Sequence, residues 1–242
     1  MVKRCWIGTS GWVYPHWKEV FYPAAVAQRN WLSFYARFFD TVEINASFYR
    51  LPPLSTFEHW RMQVHPSFLF AVKVSRYITH VKKLKGVEEP LARFYDVLQG
   101  LGQNCGPLLF QLSPRTGFDR ERLVSFVRLL DSRFRYVFEF RHPSFFCDDV
   151  YEILSQRNIA LCFSDTPSFP YQEVLTAPFV YLRLHGSTSL YTHLYSEREI
   201  MSWAEKIDRF RQERDVFCYF DNDYQGFAIR NALRLKELLG LG

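Results

Sequence analysis

The sequence predicts an α/β protein, a single-domain (β/α)8 TIM-type barrel over residues 1–242 with an irregular stretch after its sixth strand. Three observations predict it. Eight short runs rich in β-branched and aromatic residues alternate mainly with segments of helical spacing, the pattern of a parallel sheet with crossover helices. The chain has 242 residues, close to the roughly 250 of such barrels. No Gly/Ser linker or shift in composition divides it. An open doubly wound sheet is the competing architecture, but the GTSGW turn after the first run lacks the G-x-G-x-x-G phosphate loop that such sheets ordinarily show.

Taken in order, residues 4–10 read as the first strand, followed by a loop carrying Trp12, Tyr14 and Trp17. Helical spacing over 24–39 lets Trp31, Leu32, Tyr35, Phe38 and Phe39 share one face. The second strand lies in the stretch 41–50, where Val42 and Ile44 alternate with Thr41, Glu43 and Asn45. Pro52 and Pro53 stop it, and Ser55 with Glu58 offers a capping box for a helix to about residue 64. Strand three is 68–75, followed by a loop over 76–86 and a helix over 90–101. Strand four is 107–113, with a helix over 120–130. Strand five is 136–141, with a helix over 148–157 before strand six at 159–165. Three prolines and no periodicity over 166–178 predict an ordered loop in place of a helix. Strand seven is 179–185 with a long loop to 196, a helix spans 197–213, strand eight is 216–221, and a helix over 225–239 closes the chain.

Hydrophobic residues make up 48% of the chain and aromatics 18%, enough for a real core and against disorder. The formal charge of +5 is mildly basic, compatible with an anionic ligand and weaker than a nucleic-acid-binding tail would give. Five cysteines form no C-x-x-C pair. The N-terminus lacks the apolar core of a signal peptide, and no uncharged apolar run approaches the ~18 residues of a membrane span. The expectation is a cytoplasmic, reduced protein without a membrane partner.

Charges recur at period two within five apolar runs, TVEINA, FAVKVS, FEFRH, YLRLHG and YFDND. Alternate side chains of a strand share a face, so these charges need a common polar place. In a barrel that place is the mouth at the strands' C-terminal ends. Parity read from the polar residues gathers Glu43, Asn45, Lys73, Ser75, Gln111, Ser113, Glu139, Arg141, Asp165, Arg183, His185, Asp221 and Asp223 there. Unpaired buried charge is costly, so the set must pair, hold water or hold ligand. A tightly bound metal is not favoured, because only His185 sits squarely at a strand end and Lys73, Arg141 and Arg183 would repel a divalent ion. No G-x-S-x-G elbow is present. Glu43 and Glu139 are the natural acid/base pair, and cations beside them would lower their pKa values, which suits a base better than a proton donor. A Schiff base at Lys73 is disfavoured on the expectation that nearby carboxylates keep it protonated. Trp12, Tyr14, Trp17, Phe48, Tyr49, Tyr191 and Tyr195 place rings near the same end, as sugars or nucleobases require.

The runs GTSGWVYPHW, EINASFYRLP, FAVKVSRYITH, LLFQLSP, FEFRHPSFF, YLRLHG and YFDNDYQGFAIRNAL, in this order, resemble the YecE-like family of uncharacterised proteins, domain of unknown function 72, over about residues 5–235. The resemblance implies a (β/α)8-type barrel related to sugar isomerases, a kinship of fold that does not establish an activity. It also marks, by their match to its motifs, Trp12, Tyr14, Glu43, Asn45, Tyr49, Lys73, Gln111, Glu139, Arg141, Arg183, His185 and Asp223. At Asp221 the chain reads YFDND where many relatives read YFNND, so the chain adds a carboxylate there and the resemblance does not assign it a part in any shared chemistry.

The leading expectation is an enzyme acting on a small anionic sugar or sugar derivative. Glu43 or Glu139 would be the base, Lys73, Arg141 and Arg183 would hold the anionic group, and His185 would move protons or orient substrate. Trp12, Tyr14, Asn45, Tyr49, Gln111, Asp221 and Asp223 would complete the binding surface. Nucleic acid is the alternative partner, supported by the basic run from Arg76 to Lys85 and opposed by a mouth of mixed sign. A non-catalytic scaffold is the third.

Overall fold

In a computed structural model, which describes residues 3–241, eight parallel strands form one sheet in the order β1-β8-β7-β6-β5-β4-β3-β2. The strands are β1 (Cys5–Thr9), β2 (Thr41–Ile44), β3 (Leu69–Lys73), β4 (Cys105–Gln111), β5 (Tyr136–Glu139), β6 (Ala160–Asp165), β7 (Phe179–Leu184) and β8 (Asp215–Phe220). Helices α1 (Trp31–Tyr35), α2 (Ala46–Tyr49), α3 (Leu54–Met62), α4 (Glu88–Leu98), α5 (Arg120–Arg128), α6 (Asp148–Ser155), α7 (Glu197–Phe210) and α8 (Phe227–Leu238) fill the connections. The sheet is a barrel with a seam between its first two strands.

At that seam β1 and β2 meet only through the Ser10–Glu43 bridge, where the Gly11 amide donates to the Glu43 carbonyl at 2.8 Å. Below the bridge a side chain replaces the ladder. The hydroxyl of fully buried Tyr35 accepts from the Thr9 amide at 3.0 Å and donates to the Thr41 carbonyl at 3.1 Å. The approach is close enough that a Cβ on Gly8 would lie 2.4 Å from the Thr41 carbonyl oxygen. Glycine is required there by backbone proximity.

Two cores follow from strand alternation. Outward residues pack against the helices, with Phe70, Phe110, Phe138, Leu182 and Phe220 all nearly inaccessible. Inward, Trp6, Ala71, Leu109, Val137, Cys162, Phe179, Tyr181, Phe217 and Tyr219 fill the lower barrel. Trp6 and Phe217 stack at 4.6 Å, and the Arg135 guanidinium lies over Phe217 at 4.8 Å, plugging the N-terminal end with a cation on apolar faces. Above them the two inward tyrosines turn polar: Tyr219 Oη lies 2.6 Å from Thr41 Oγ1 and Tyr181 donates to Glu43 at 2.7 Å. The barrel interior thus changes from hydrocarbon to hydroxyl to charge towards its C-terminal end.

Several local expectations are corrected. The helix expected over 24–39 is only α1, preceded by a 3-10 turn at Gln28–Asn30, because this segment first docks Tyr22 on Trp31 (4.5 Å, stacked) and then delivers the Tyr35 hydroxyl to the seam. No Ser55 capping box forms; α3 begins at Leu54 behind Pro53, whose extended backbone (ψ 159°) occupies the cap position without a side-chain bond. The expected loop over 76–86 contains a π-helical turn, Tyr77–Val81, seated on buried Ile78 and Leu84. Residues 166–178 form no helix, so β6 joins β7 by an irregular crossover. Among the described residues no helix is long and apolar enough to cross a membrane.

The seam carries a prediction. Tyr35→Phe leaves the Thr9 amide and the Thr41 carbonyl buried without their partner, and should lower unfolding stability by about 1–3 kcal/mol. Urea denaturation measures it, and an unchanged midpoint would mean that the hydroxyl does not hold the seam.

Candidate functional site

The inward series of β7 runs Phe179, Tyr181, Arg183 and then His185, so strand period alone lifts a guanidinium above the apolar floor. Arg183 is fully buried. Its five N–H donors all meet acceptors. Nε reaches Glu43 Oε2 at 3.0 Å, and Nη2 divides its hydrogens among Glu43 Oε1 at 2.8 Å, Ser10 Oγ at 3.1 Å and Asp221 Oδ2 at 3.1 Å. Nη1 reaches Glu139 Oε2 at 2.6 Å and faces His185 Nε2 at 3.3 Å. Burial opposes this charge, but Glu43, Glu139 and Asp221 outweigh it and hold the guanidinium ionised, well above its ordinary value.

The carboxylates are equally engaged. Glu43, fully buried, accepts from Arg183, from Ser10 Oγ and from Tyr181 Oη. Glu139 accepts from Gln111 Nε2 at 2.9 Å and Arg141 Nε at 2.8 Å besides Arg183. Burial works against the Glu139 charge, yet Arg141, then Arg183, His185 and Lys73, hold its carboxyl well below the usual range. His185 is fully buried; its Nδ1 lies 2.9 Å from Asp221 Oδ2, off the line of a straight hydrogen bond. Asp221 itself is held low: Arg183, His185 and Lys73 overcome its burial.

Two cations stand above this saturated layer. Lys73, at the end of β3 and half-buried, rests its Nζ 4.3 Å over the Phe48 ring, and among the described residues this ammonium forms no ion pair or hydrogen bond. Burial, with Arg183 adding to it, pushes its ammonium down to about 8 against Glu139, Asp221 and Glu43. Arg141 gives Nε to Glu139 and lies 4.5 Å over the Phe169 ring, contributed by the irregular β6–β7 crossover. Beside them His80 is kept unprotonated at neutral pH, its pKa lowered to about 4 by burial, Lys73, Arg141 and Arg76.

A second group lines the mouth from the β1 loop. Tyr14 donates to the Ser10 carbonyl at 2.5 Å and packs on Trp17 at 4.9 Å. Trp17 Nε1 donates to Asp223 Oδ1 at 2.6 Å, and His16 Nε2 lies 2.9 Å from Asp223 Oδ2. Burial raises the Asp223 carboxyl to about 6, against Trp17 and His16. Asn45 donates to Ser10 Oγ at 3.0 Å, while its buried Oδ1 has no protein partner.

The structure therefore brings together Glu43, Asn45, Lys73, Gln111, Glu139, Arg141, Arg183, His185, Asp221, Tyr14 and Asp223. Trp12 is not with them: it is buried edge-on against Trp60 of α3 at 5.2 Å. Tyr49 is 74% exposed on the outer side of Phe48. Asp165 is a correction. Cys162 and Ser164 take the inward positions of β6, so Asp165 faces the helices and accepts from Tyr195 at 2.8 Å; reading parity from the charged residue picked the wrong face. Sequence reasoning missed Ser10, Tyr181, His16 and Phe169 as site residues. The inward series of β1 and β7 signals the first two; nothing local signals the others. Among the described residues no group of three or more His, Cys, Asp or Glu is arranged to hold a metal ion. The point on which Glu43, Glu139 and Asp221 converge is taken by Arg183.

Comparison with known proteins fits this geometry into a family. A family model described as a protein of unknown function, DUF72, matches residues 6–242. UPF0759 protein YecE of Escherichia coli (strain K12) is 27% identical over 88% of this chain and 85% of its own. UPF0759 protein YunF of Bacillus subtilis (strain 168) is 23% identical over 98% and 95%. The crystal structure of a DUF72 family protein from Thermotoga maritima superposes with a TM-score of 0.87 at 28% identity, covering 98% of this chain and 99% of that one. A DUF72 family protein from Enterococcus faecalis, 20% identical, shares the fold with a TM-score of 0.84 over 98% and 96%. The chain belongs to the DUF72 family.

Two predictions follow from the charges. Arg183→Met strands Glu43 and Glu139 without their counter-charge and should cost about 3–5 kcal/mol, read from urea unfolding at neutral pH. For Lys73, a folded pKa of about 8 lies below the unfolded 10.5, so the unfolded chain binds more protons between those values and stability rises with pH there. Lys73→Met lacks this gain. Its stability relative to the parent should fall as pH climbs from 8 towards 10.5, by at most about 1.4 kcal/mol per pH unit; a constant difference would refute the burial of that charge.

Proposed function

We propose that this member of the DUF72 family is an enzyme that binds a small anionic sugar or sugar derivative in the barrel mouth. The observation that carries this reading is Lys73, an inward ammonium that has no anionic partner among the described residues, together with Arg141, which shares Glu139 and His80 with it as neighbours and whose one ion pair among them is with Glu139 through Nε. A phosphate or carboxylate between these two cations would supply the partner they lack. The unpartnered Asn45 Oδ1 would accept from a ligand hydroxyl, and Tyr14, Phe48 and Phe169 would cover its apolar face.

Roles change from those expected of the sequence. Glu43 has no free access, and Glu139, held ionised by Arg141 and Arg183, is a weak base; both serve as the anchored floor. Arg183 has no donor left for a ligand, and buried His185 lies against Asp221 below the mouth. Proton transfer falls to Asp223 with His16: its carboxyl, at about 6, is poised near neutral pH, and His16 is 43% exposed towards solvent. The five cysteines are free thiols, in keeping with action in a reducing cytoplasm.

Nucleic acid is the second reading. A groove of about 1050 Å³ is lined by Arg50, Tyr77 and Arg93, though Glu89 lies among them. A ligand that binds only the folded state raises its melting temperature. Sugar phosphates and sugar acids should therefore stabilise the protein at physiological salt, and Arg141→Ala should abolish the shift. A shift given only by oligonucleotides and lost as salt rises would transfer the function to the groove.

A further inference from the structure

Resting on that anion-binding reading, we propose that Lys73 is a nucleophilic amine which forms an imine with the carbonyl carbon of an anionic aldehyde or ketone held by Arg141. Carboxylates paired with this lysine would hold it protonated and inert, but the carboxylates here are engaged elsewhere. Glu43, Glu139 and Asp221 all converge on Arg183, and Glu139 is further bound by Gln111 and Arg141. Lys73 forms no ion pair with any of them, and its Nζ is held 4.3 Å over the face of Phe48. It projects inward from the end of a barrel strand, at the level where ligands enter such barrels.

An amine reacts only when unprotonated. The charged groups facing Lys73 are Arg183 from β7, Glu139 from β5, Asp221 after β8 and Glu43 from β2, with uncharged His80 beside it on the π-helical turn. Burial and Arg183 prevail over the carboxylates and bring the ammonium down to about 8. At neutral pH about one Lys73 in ten is then the free amine, against fewer than about one in a thousand for an ordinary lysine.

The chemistry balances without an oxidant or reductant. The Nζ lone pair attacks the carbonyl carbon, a C–N bond forms, and the oxygen takes up a proton to give a carbinolamine. The C–O bond then breaks and the oxygen leaves as water, carrying both protons of the neutral amine overall. The imine nitrogen picks up a proton from solvent, and the resulting iminium draws electrons from the adjacent carbon, which favours loss of a proton or cleavage of a bond there. Arg141 holds the anionic end of the same molecule.

The test is reductive trapping. The protein is incubated separately with dihydroxyacetone phosphate, pyruvate and, as the neutral control, dihydroxyacetone, then treated with sodium borohydride, which converts an imine to a stable secondary amine. Peptide masses should show the adduct on Lys73 with the anionic probes at least tenfold above dihydroxyacetone, and none on the corresponding peptide of Lys73→Arg. In parallel, the rate at which fluorodinitrobenzene labels Lys73 should titrate with a midpoint near 8; a midpoint in the range of ordinary lysines overturns the proposal whatever ligand is used. A melting shift with sugar phosphates that depends on Arg141, without a Lys73 adduct from either anionic probe, overturns the imine and keeps the anion site. Equal trapping of dihydroxyacetone and its phosphate keeps the amine and removes the anion-binding reading. Label scattered evenly over surface lysines overturns both.

Discussion

One fully buried guanidinium organises this barrel. Arg183 joins Glu43 of β2, Glu139 of β5 and Asp221 after β8, elements from around the ring, through contacts of 2.6 to 3.1 Å. The Ser10 hydroxyl, which accepts from Arg183, also donates to Glu43 and accepts from Asn45, so the same network crosses the seam where β1 and β2 lack a ladder. Burying such a set is not obviously stabilising compared with hydrocarbon, because desolvation offsets much of the attraction. Its effect is specific: a carboxylate or guanidinium left without its partners here would be very unfavourable, which disfavours any other strand register.

The saturation of that layer divides the mouth by function. Groups whose hydrogen-bonding capacity is spent cannot also grip a ligand, so Glu43, Glu139 and Arg183 become a rigid electrostatic floor. Reactivity passes to the residues one level higher and to the β1 loop, where Lys73, Arg141, Asn45, Asp223 and His16 retain free atoms or shifted pKa values. Preorganised charge below and unsatisfied groups above is an arrangement suited to holding developing charge without reorganisation. The chain's Asp221 strengthens this floor, since its carboxylate meets both Arg183 and His185.

Much of the scaffold was legible because strand periodicity is local. Once Val42 and Ile44 are assigned outward, Glu43 and Asn45 must share the other face, and the same rule carries Lys73, Gln111, Glu139 and Arg183 inward. The rule failed at Asp165, where the polar inward residue is the modest Ser164 and the charge serves Tyr195 on the helical side. It was silent on pairing. Nothing in residues 24–39 announces that Tyr35 spends its hydroxyl on the seam between β1 and β2, or that the helix is short in consequence.

The sequence by itself determined the eight strands, the inward parity of the charged ones other than β6 and the end at which their charges gather, because each depends on alternation within a few residues and on the cost of burying apolar side chains on the wrong side. It also carried the family motifs. Only the tertiary structure decided which charges cancel. Whether Lys73 meets a carboxylate depends on distances between separate strands, and Arg183 claims those carboxylates first. Likewise His16 reaches Asp223 from the opposite end of the chain, and Phe169 covers Arg141 from a loop without periodicity. Electrostatic partnership is set by closure of the barrel, and no local pattern encodes it.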